Sequence, residues 1–340
     1  MTEVSVREVA LDPEWLPHTY DAEGANLISV RVSREARSEL VFLSDRHFAG
    51  NFQKAAFPRA AVAAEAISAE RAPIHFIFHS SHCCSTLLAK ALEVPGVSSL
   101  LNEPDVMINL ANRFIRSDDN SDRERLELVL RLLERPLAPG EKVIVKPTNF
   151  GNRIAEPILA TRPNSRAILL YSDLETLLFS LAKRGMFGWI FGRQLFNQIS
   201  QWSPLDFGYS PTELLEQTDM QITALAWLMQ MHHLDALGRA VGPDRVMLLD
   251  SNSLLADPSE ALAKAQALFG LELDSARVEA IASGPVFTKH SKTPGQDYNA
   301  DAREQERKAT ADAHAEDIAM VVEWIKAVAA QVGAPLRPGS

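Results

Sequence analysis

The residues whose types and order could do chemistry lie in one stretch, PIHFIFHSSHCCSTLLAKAL, from Pro73 to Leu92. An apolar run, Ile74 to Phe78, gives way to small polar residues and then to a helix expected to begin near Ser85 or Thr86. A strand, a tight loop and a helix in this order aim backbone N–H groups at one spot, which suits a phosphate or sulfate group. The geometry is that of a P-loop. With a Walker A motif ending at Thr86, however, the glycine positions hold His79 and Cys84 and the lysine position holds Ser85. Hydrolysis of ATP or GTP is therefore disfavoured.

Other nucleophile patterns fail on the same stretch. A Cys-x5-Arg phosphatase signature is absent because Lys90 stands at the required spacing from Cys84, and no G-x-S-x-G elbow occurs. Cys83 and Cys84 read as two small loop residues rather than a redox pair, although a helix N-terminus lowers thiol pKa values. Strand periodicity puts His75 and His79 on one face and His82 elsewhere, so no metal site is expected.

These residues need a scaffold, and the hydrophobic pattern supplies one. Short apolar runs at Ile74 to Phe78, Val97 to Leu101, Lys142 to Val145, Ala167 to Tyr171 and Arg245 to Leu249 alternate with helical stretches. That alternation indicates an α/β fold with a parallel sheet flanked by helices. Ahead of it, residues 1–72 form a small N-terminal extension with short strands expected at Leu27 to Val32 and Leu40 to Leu43 and a helix at Ala60 to Glu70. Residues 73–295 make the α/β domain, and residues 296–340 a helical tail running from Asp301 to about Val332. Ser210-Pro211-Thr212-Glu213 is expected to open a long helix reaching Ala240, and Asp257-Pro258-Ser259-Glu260 another ending near Gly270.

The chain has 340 residues, 46% hydrophobic and 23% charged, as in ordinary folded proteins. Its 34 Lys and Arg against 44 Asp and Glu leave a net charge of -10, the wrong sign for a nucleic-acid or anionic-membrane binder. With two adjacent cysteines, no signal-peptide run and no apolar stretch of about 18 residues, the reading is a cytoplasmic protein.

The sequence resembles the sulfotransferase family, whose loop reads basic, small, Gly, Ser/Thr, Thr without the Walker lysine. Here those positions hold His82, Cys83, Cys84, Ser85 and Thr86, with Cys84 in place of the glycine. Leu101-Asn102-Glu103-Pro104 follows the second core strand, where many members carry an acidic residue before proline. KVIVKPTNFGNRIAEPILATRPNSRAILLYSDLETLLFSLAKRG then resembles the family's strand with Lys-Pro, helix, strand, and helix bearing a 3'-phosphate serine, here Ser180. The arginine expected eight residues earlier falls at Ser172. RVMLLDSNSLLADPSEALAKAQALFGLEL resembles the late strand, acidic loop and closing helix.

The resemblance implies a P-loop-type sulfotransferase. Such an enzyme would move a sulfuryl group from 3'-phosphoadenosine 5'-phosphosulfate to a hydroxyl of a small molecule or carbohydrate, with no metal required. The loop, through Cys83, Cys84, Ser85 and Thr86, would hold the 5' end, and Ser180 the 3'-phosphate. Sulfuryl transfer needs a base for the acceptor proton and cations on the leaving oxygen. Glu103, beyond the carboxyl end of a core strand, is the candidate base; its other role would be a helix N-terminal acid. Lys146 ends an apolar strand, where a lysine is costly unless it is paired or faces an anion, and it is a candidate cation with His82. Lys289 and Lys292, beside His290, form a small basic loop that could close over the 3'-phosphate. The acceptor is expected along Gly185 to Tyr209, with Met186, Phe187, Trp189, Phe191 and Trp202. Two other classes stay open: a non-catalytic nucleotide- or anion-binding protein of the same fold, and an ATP-dependent kinase-like transferase.

Overall fold

A computed structural model describes residues 4–48, 52–116, 119–288 and 300–340. Its strands are β1 (Trp15–Tyr20), β2 (Asn26–Arg31), β3 (Lys54–Pro58), β4 (Ile74–His79), β5 (Ser98–Asn102), β6 (Lys142–Lys146), β7 (Ala167–Tyr171) and β8 (Val246–Asp250). The first three form an antiparallel sheet, β1-β2-β3, and the other five a sheet of order β5-β6-β4-β7-β8. β6 pairs in parallel with both β4 and β5. The bonds Phe76 N to Arg166 O and Ser80 N to Leu170 O advance together along β4 and β7, as parallel strands require. Every residue of β4 and β5 is buried, the polar His75, His79, Ser98, Ser99 and Asn102 included, as in a parallel sheet covered on both faces. The fold is α/β.

Two expectations needed correction. Leu40 to Leu43 is not a strand: it is a bend whose Leu43 N–H reaches Asn102 O, and it joins no ladder. The capping box at Ser210 opens only the short helix Pro211–Glu216. Gln217 then turns extended (ψ 140°), and a second capping box, Thr218 with Gln221, opens Asp219–Val241. β1 and β3 were not anticipated, because WLPHTY and KAAFP mix polar residues and proline into short segments.

The chain divides into two compact units. The first comprises residues 1–78, 88–167 and 266–273; the second comprises residues 79–87, 168–265 and 274–340. In the first, Arg135 is buried and donates to the carbonyls of Val9, Asp12 and Trp15, tying the N-terminal helix Val6–Leu11 and β1 to the helix Asn120–Leu133. In the second, the tail helix Ala300–Val332 buries Ile318, Val321, Ile325 and Val328 and packs on Leu174–Ala182 and Asp219–Val241. No helix among the described residues is long and apolar enough to cross a membrane.

Candidate active site

The second unit holds the loop. After β4 the backbone enters the left-handed region at Ser81 (φ 68°), His82 (φ 49°) and Cys84 (φ 62°), and the helix Ser85–Ala91 follows at once. Cys84 thus adopts the conformation expected of a glycine at that position, and its side chain does not prevent the tight loop. Non-glycine residues in this region cost about 1–2 kcal/mol each, so the surroundings must hold them there. They do so through hydrogen bonds. Ser81 N donates to His79 Nδ1 (3.1 Å), Ser80 N to Leu170 O (3.0 Å), and Ser172 N to Ser80 Oγ (3.2 Å). Cys83 is buried with its Sγ 3.5 Å from Leu170 O. The hydroxyls of Ser81 and Thr86 are buried and have no hydrogen-bond partner among the described residues. Two orphaned hydroxyls in one loop suit an anion that accepts from both.

Ser172 explains itself in this setting. It is 0% exposed, its N–H held by Ser80 and its carbonyl by Trp227 Nε1 (2.9 Å), so it braces the loop from β7. Ser180 lies half-buried on the helix Leu174–Ala182. That helix is fixed at its start by Asp173, which accepts from Thr176 N (2.6 Å) and Asn252 Nδ2 (2.7 Å). His82 is half-buried, its ring edge-on to Phe191 at 5.6 Å. Along the helix Met186–Ile199, Met186 and Phe187 are exposed and Trp189 is half-buried, while Trp202 beyond it meets the His233 ring at 4.9 Å. Lys289, His290 and Lys292 lie outside the described residues.

The first unit holds the other pair. Lys146, the last residue of β6, is 0% exposed and donates to Glu103 Oε1. Glu103 follows β5 in the left-handed region (φ 50°), its N–H bonded to Lys146 O at 2.7 Å, and its side chain is 22% exposed. The buried ammonium is therefore paired, and the partly open carboxylate keeps an edge toward solvent. The sequence did not reveal Phe42, whose ring lies 5.6 Å from Lys146 Nζ. It also gave no sign that the segment from Val41 runs along the Glu103 turn: Asn102 Nδ2 donates to Val41 O (2.6 Å), and Asp105 N to Leu43 O (3.2 Å). Only the aromatic residue type could have hinted at this.

No protein-family model matches the chain, and no curated protein matches it. Solved structures do. A sulfotransferase domain from the curacin biosynthetic pathway is 15% identical, with a TM-score of 0.39, over 73% of this chain and 99% of that one. A Mycobacterium tuberculosis sulfotransferase is 14% identical with a TM-score of 0.39, covering 66% of this chain and 78% of its own. A mouse sulfotransferase complexed with PAP is 13% identical with a TM-score of 0.35, over 67% of this chain and 70% of its own.

Proposed function

We propose that this chain is a sulfotransferase that moves a sulfuryl group from 3'-phosphoadenosine 5'-phosphosulfate to a hydroxyl of a small molecule or carbohydrate in the cytoplasm. The observation that carries the reading is the loop. It has a P-loop's left-handed turns and two orphaned hydroxyls, Ser81 and Thr86, yet Ser85 stands where a nucleotide hydrolase needs lysine. The ordered sequence motifs after it support the same family.

In this reading the amides of His82 to Thr86 and the Ser85 and Thr86 hydroxyls hold the 5'-phosphosulfate. Ser180 contacts the 3'-phosphate, with Lys289 and Lys292 supplying charge in place of the arginine replaced by Ser172. The acceptor oxygen attacks sulfur as the bond from sulfur to the phosphate oxygen breaks. The acceptor proton passes to Glu103, and 3'-phosphoadenosine 5'-phosphate leaves. Protonation neutralises the partner of Lys146, so its positive charge becomes available as negative charge develops on the leaving oxygen. His82 adds a second donor. No step needs a metal.

The test is transfer of labelled sulfuryl from the donor to a panel of phenols, alcohols and sugars. The parent should release 3'-phosphoadenosine 5'-phosphate in step with product, and Glu103→Gln and Lys146→Ala should each lose at least about 100-fold, the scale of a general acid–base contribution. Rates within a few fold of the parent in both variants would remove these roles.

A further inference from the structure

A separate group of titratable side chains lies in the first unit. His18 on β1, Asp45 in the segment that follows the helix Arg34–Glu39, and Asp105, the first residue of the helix Asp105–Arg116, each offer one ligand atom, and these atoms all lie within 4.8 Å of one another. Three stretches distant in sequence converge here. His18 is only 3% exposed, and its Nε2 lies 3.0 Å from Asp45 Oδ1. About 3 Å is also the separation of adjacent ligands around an octahedral ion with bonds of about 2.1 Å. Asp105 Oδ2 accepts from Asp45 N (2.8 Å), which holds the two carboxylates side by side.

The charges around the group are few. Burial pushes the Asp105 carboxyl up, opposed chiefly by the hydrogen bond from Asp45 N, while the hydrogen bond from Lys54 holds Asp45 down. Lys54 Nζ lies 3.0 Å from Asp45 Oδ1, and both side chains are largely exposed, so the pair is weak and readily exchanged. His47 faces away to Ser44 Oγ (2.9 Å). One imidazole with two carboxylates suits Zn²⁺, which takes nitrogen and oxygen ligands, or Mn²⁺, which follows the carboxylates and binds imidazole more readily than Mg²⁺ does.

We propose that His18, Asp45 and Asp105 bind one Mn²⁺ or Zn²⁺ ion, which clamps the segment from Val41 to Phe48 onto the turn carrying Glu103. Asp105 stands two residues after Glu103, and the clamped segment carries Phe42 over Lys146. The ion positions these groups and takes part in no chemical step. It does not depend on the sulfotransferase reading.

The experiment uses the full chain after chelator treatment. Mn²⁺ binding is followed by loss of the free-ion EPR signal, Zn²⁺ by competition, and thermal unfolding is recorded with and without ion. One ion per chain should bind and raise the melting temperature. His18→Ala, Asp45→Asn and Asp105→Asn should each weaken binding by at least about tenfold, the minimum seen even for outer-sphere partners. Lys54→Ala should tighten it by removing the competing ammonium. Asp105→Asn keeps an oxygen for the Asp45 N–H, so its circular dichroism should match the parent and separate lost binding from lost fold. Absence of binding in the parent, or affinity equal to the parent's in folded Asp105→Asn and Asp45→Asn, would overturn the site. Because binding is read without donor or acceptor, failure of sulfuryl transfer leaves this result unaffected.

Discussion

Lys146 and Glu103 are held by each other, and removing either leaves the other unbalanced in or near the core. Lys146 is wholly buried and Glu103 mostly so. Glu103→Gln or Lys146→Met should therefore each cost about 3 kcal/mol, and the double variant clearly less than the sum. Denaturant unfolding of the four proteins checks this; simple additivity would mean the pair is not coupled. At Cys84 the left-handed backbone predicts opposite outcomes for two substitutions. Cys84→Gly should leave stability equal or improved by up to about 1 kcal/mol, whereas Cys84→Val should lose about 2 kcal/mol, read from unfolding midpoints. The loop was legible because strand, small residues and helix are contiguous in sequence. The ion pair was not, because its partners stand 43 positions apart and only the β5–β6 register brings them together.

At the scale of elements, close packing and buried titration give the clearest expectations. Gly192 of the helix Met186–Ile199 faces Asp219–Val241 so closely that an added Cβ would collide with Thr223 Oγ1. Gly192→Ala should destabilise by about 2 kcal/mol or more, measured by thermal unfolding, since Thr223 is itself buried. On β4, His75 stacks on Phe269 with ring centroids 4.9 Å apart, and its Nδ1 accepts from Arg166 N (3.2 Å). Burial, reinforced by Arg166 and Lys142, pushes its pKa from 6.5 down to about 4. The unfolded chain therefore binds this proton first as pH falls. The stabilisation is complete above about pH 6.5 and is lost as pH drops toward 4, up to about 3 kcal/mol in all. Unfolding midpoints across that window should fall in the parent and flatten in His75→Asn; equal slopes would assign the acid sensitivity elsewhere. The core strands were legible from their apolar stretches, Val143 to Val145 in β6 and Ala167 to Leu170 in β7 being the most continuous. The short helix at Pro211–Glu216 was misjudged in length because its capping box marks a start, while the stop at Gln217 depends on a second cap with no apolar signal of its own.

For the whole molecule, the net charge of -10 means that the proposed anionic donor would have to be held by local amides and hydroxyls against the general field. The loop of the second unit, where the Ser81 and Thr86 hydroxyls have no partner among the described residues, is the place the proposal assigns to that attraction. Within the first unit, the segment from Val41 packs along the Glu103 turn and Phe42 lies over Lys146. None of this was legible from residues 1–72, whose polar, proline-interrupted strands carry no motif.

The most direct measurement is calorimetric titration of the purified protein with 3'-phosphoadenosine 5'-phosphate, with ATP plus Mg²⁺ run alongside at the same ionic strength. Micromolar binding of the first and none of the second is the predicted result. Binding of neither would leave a repurposed fold, preference for ATP would transfer the loop to phosphoryl chemistry, and either would contradict the proposed function.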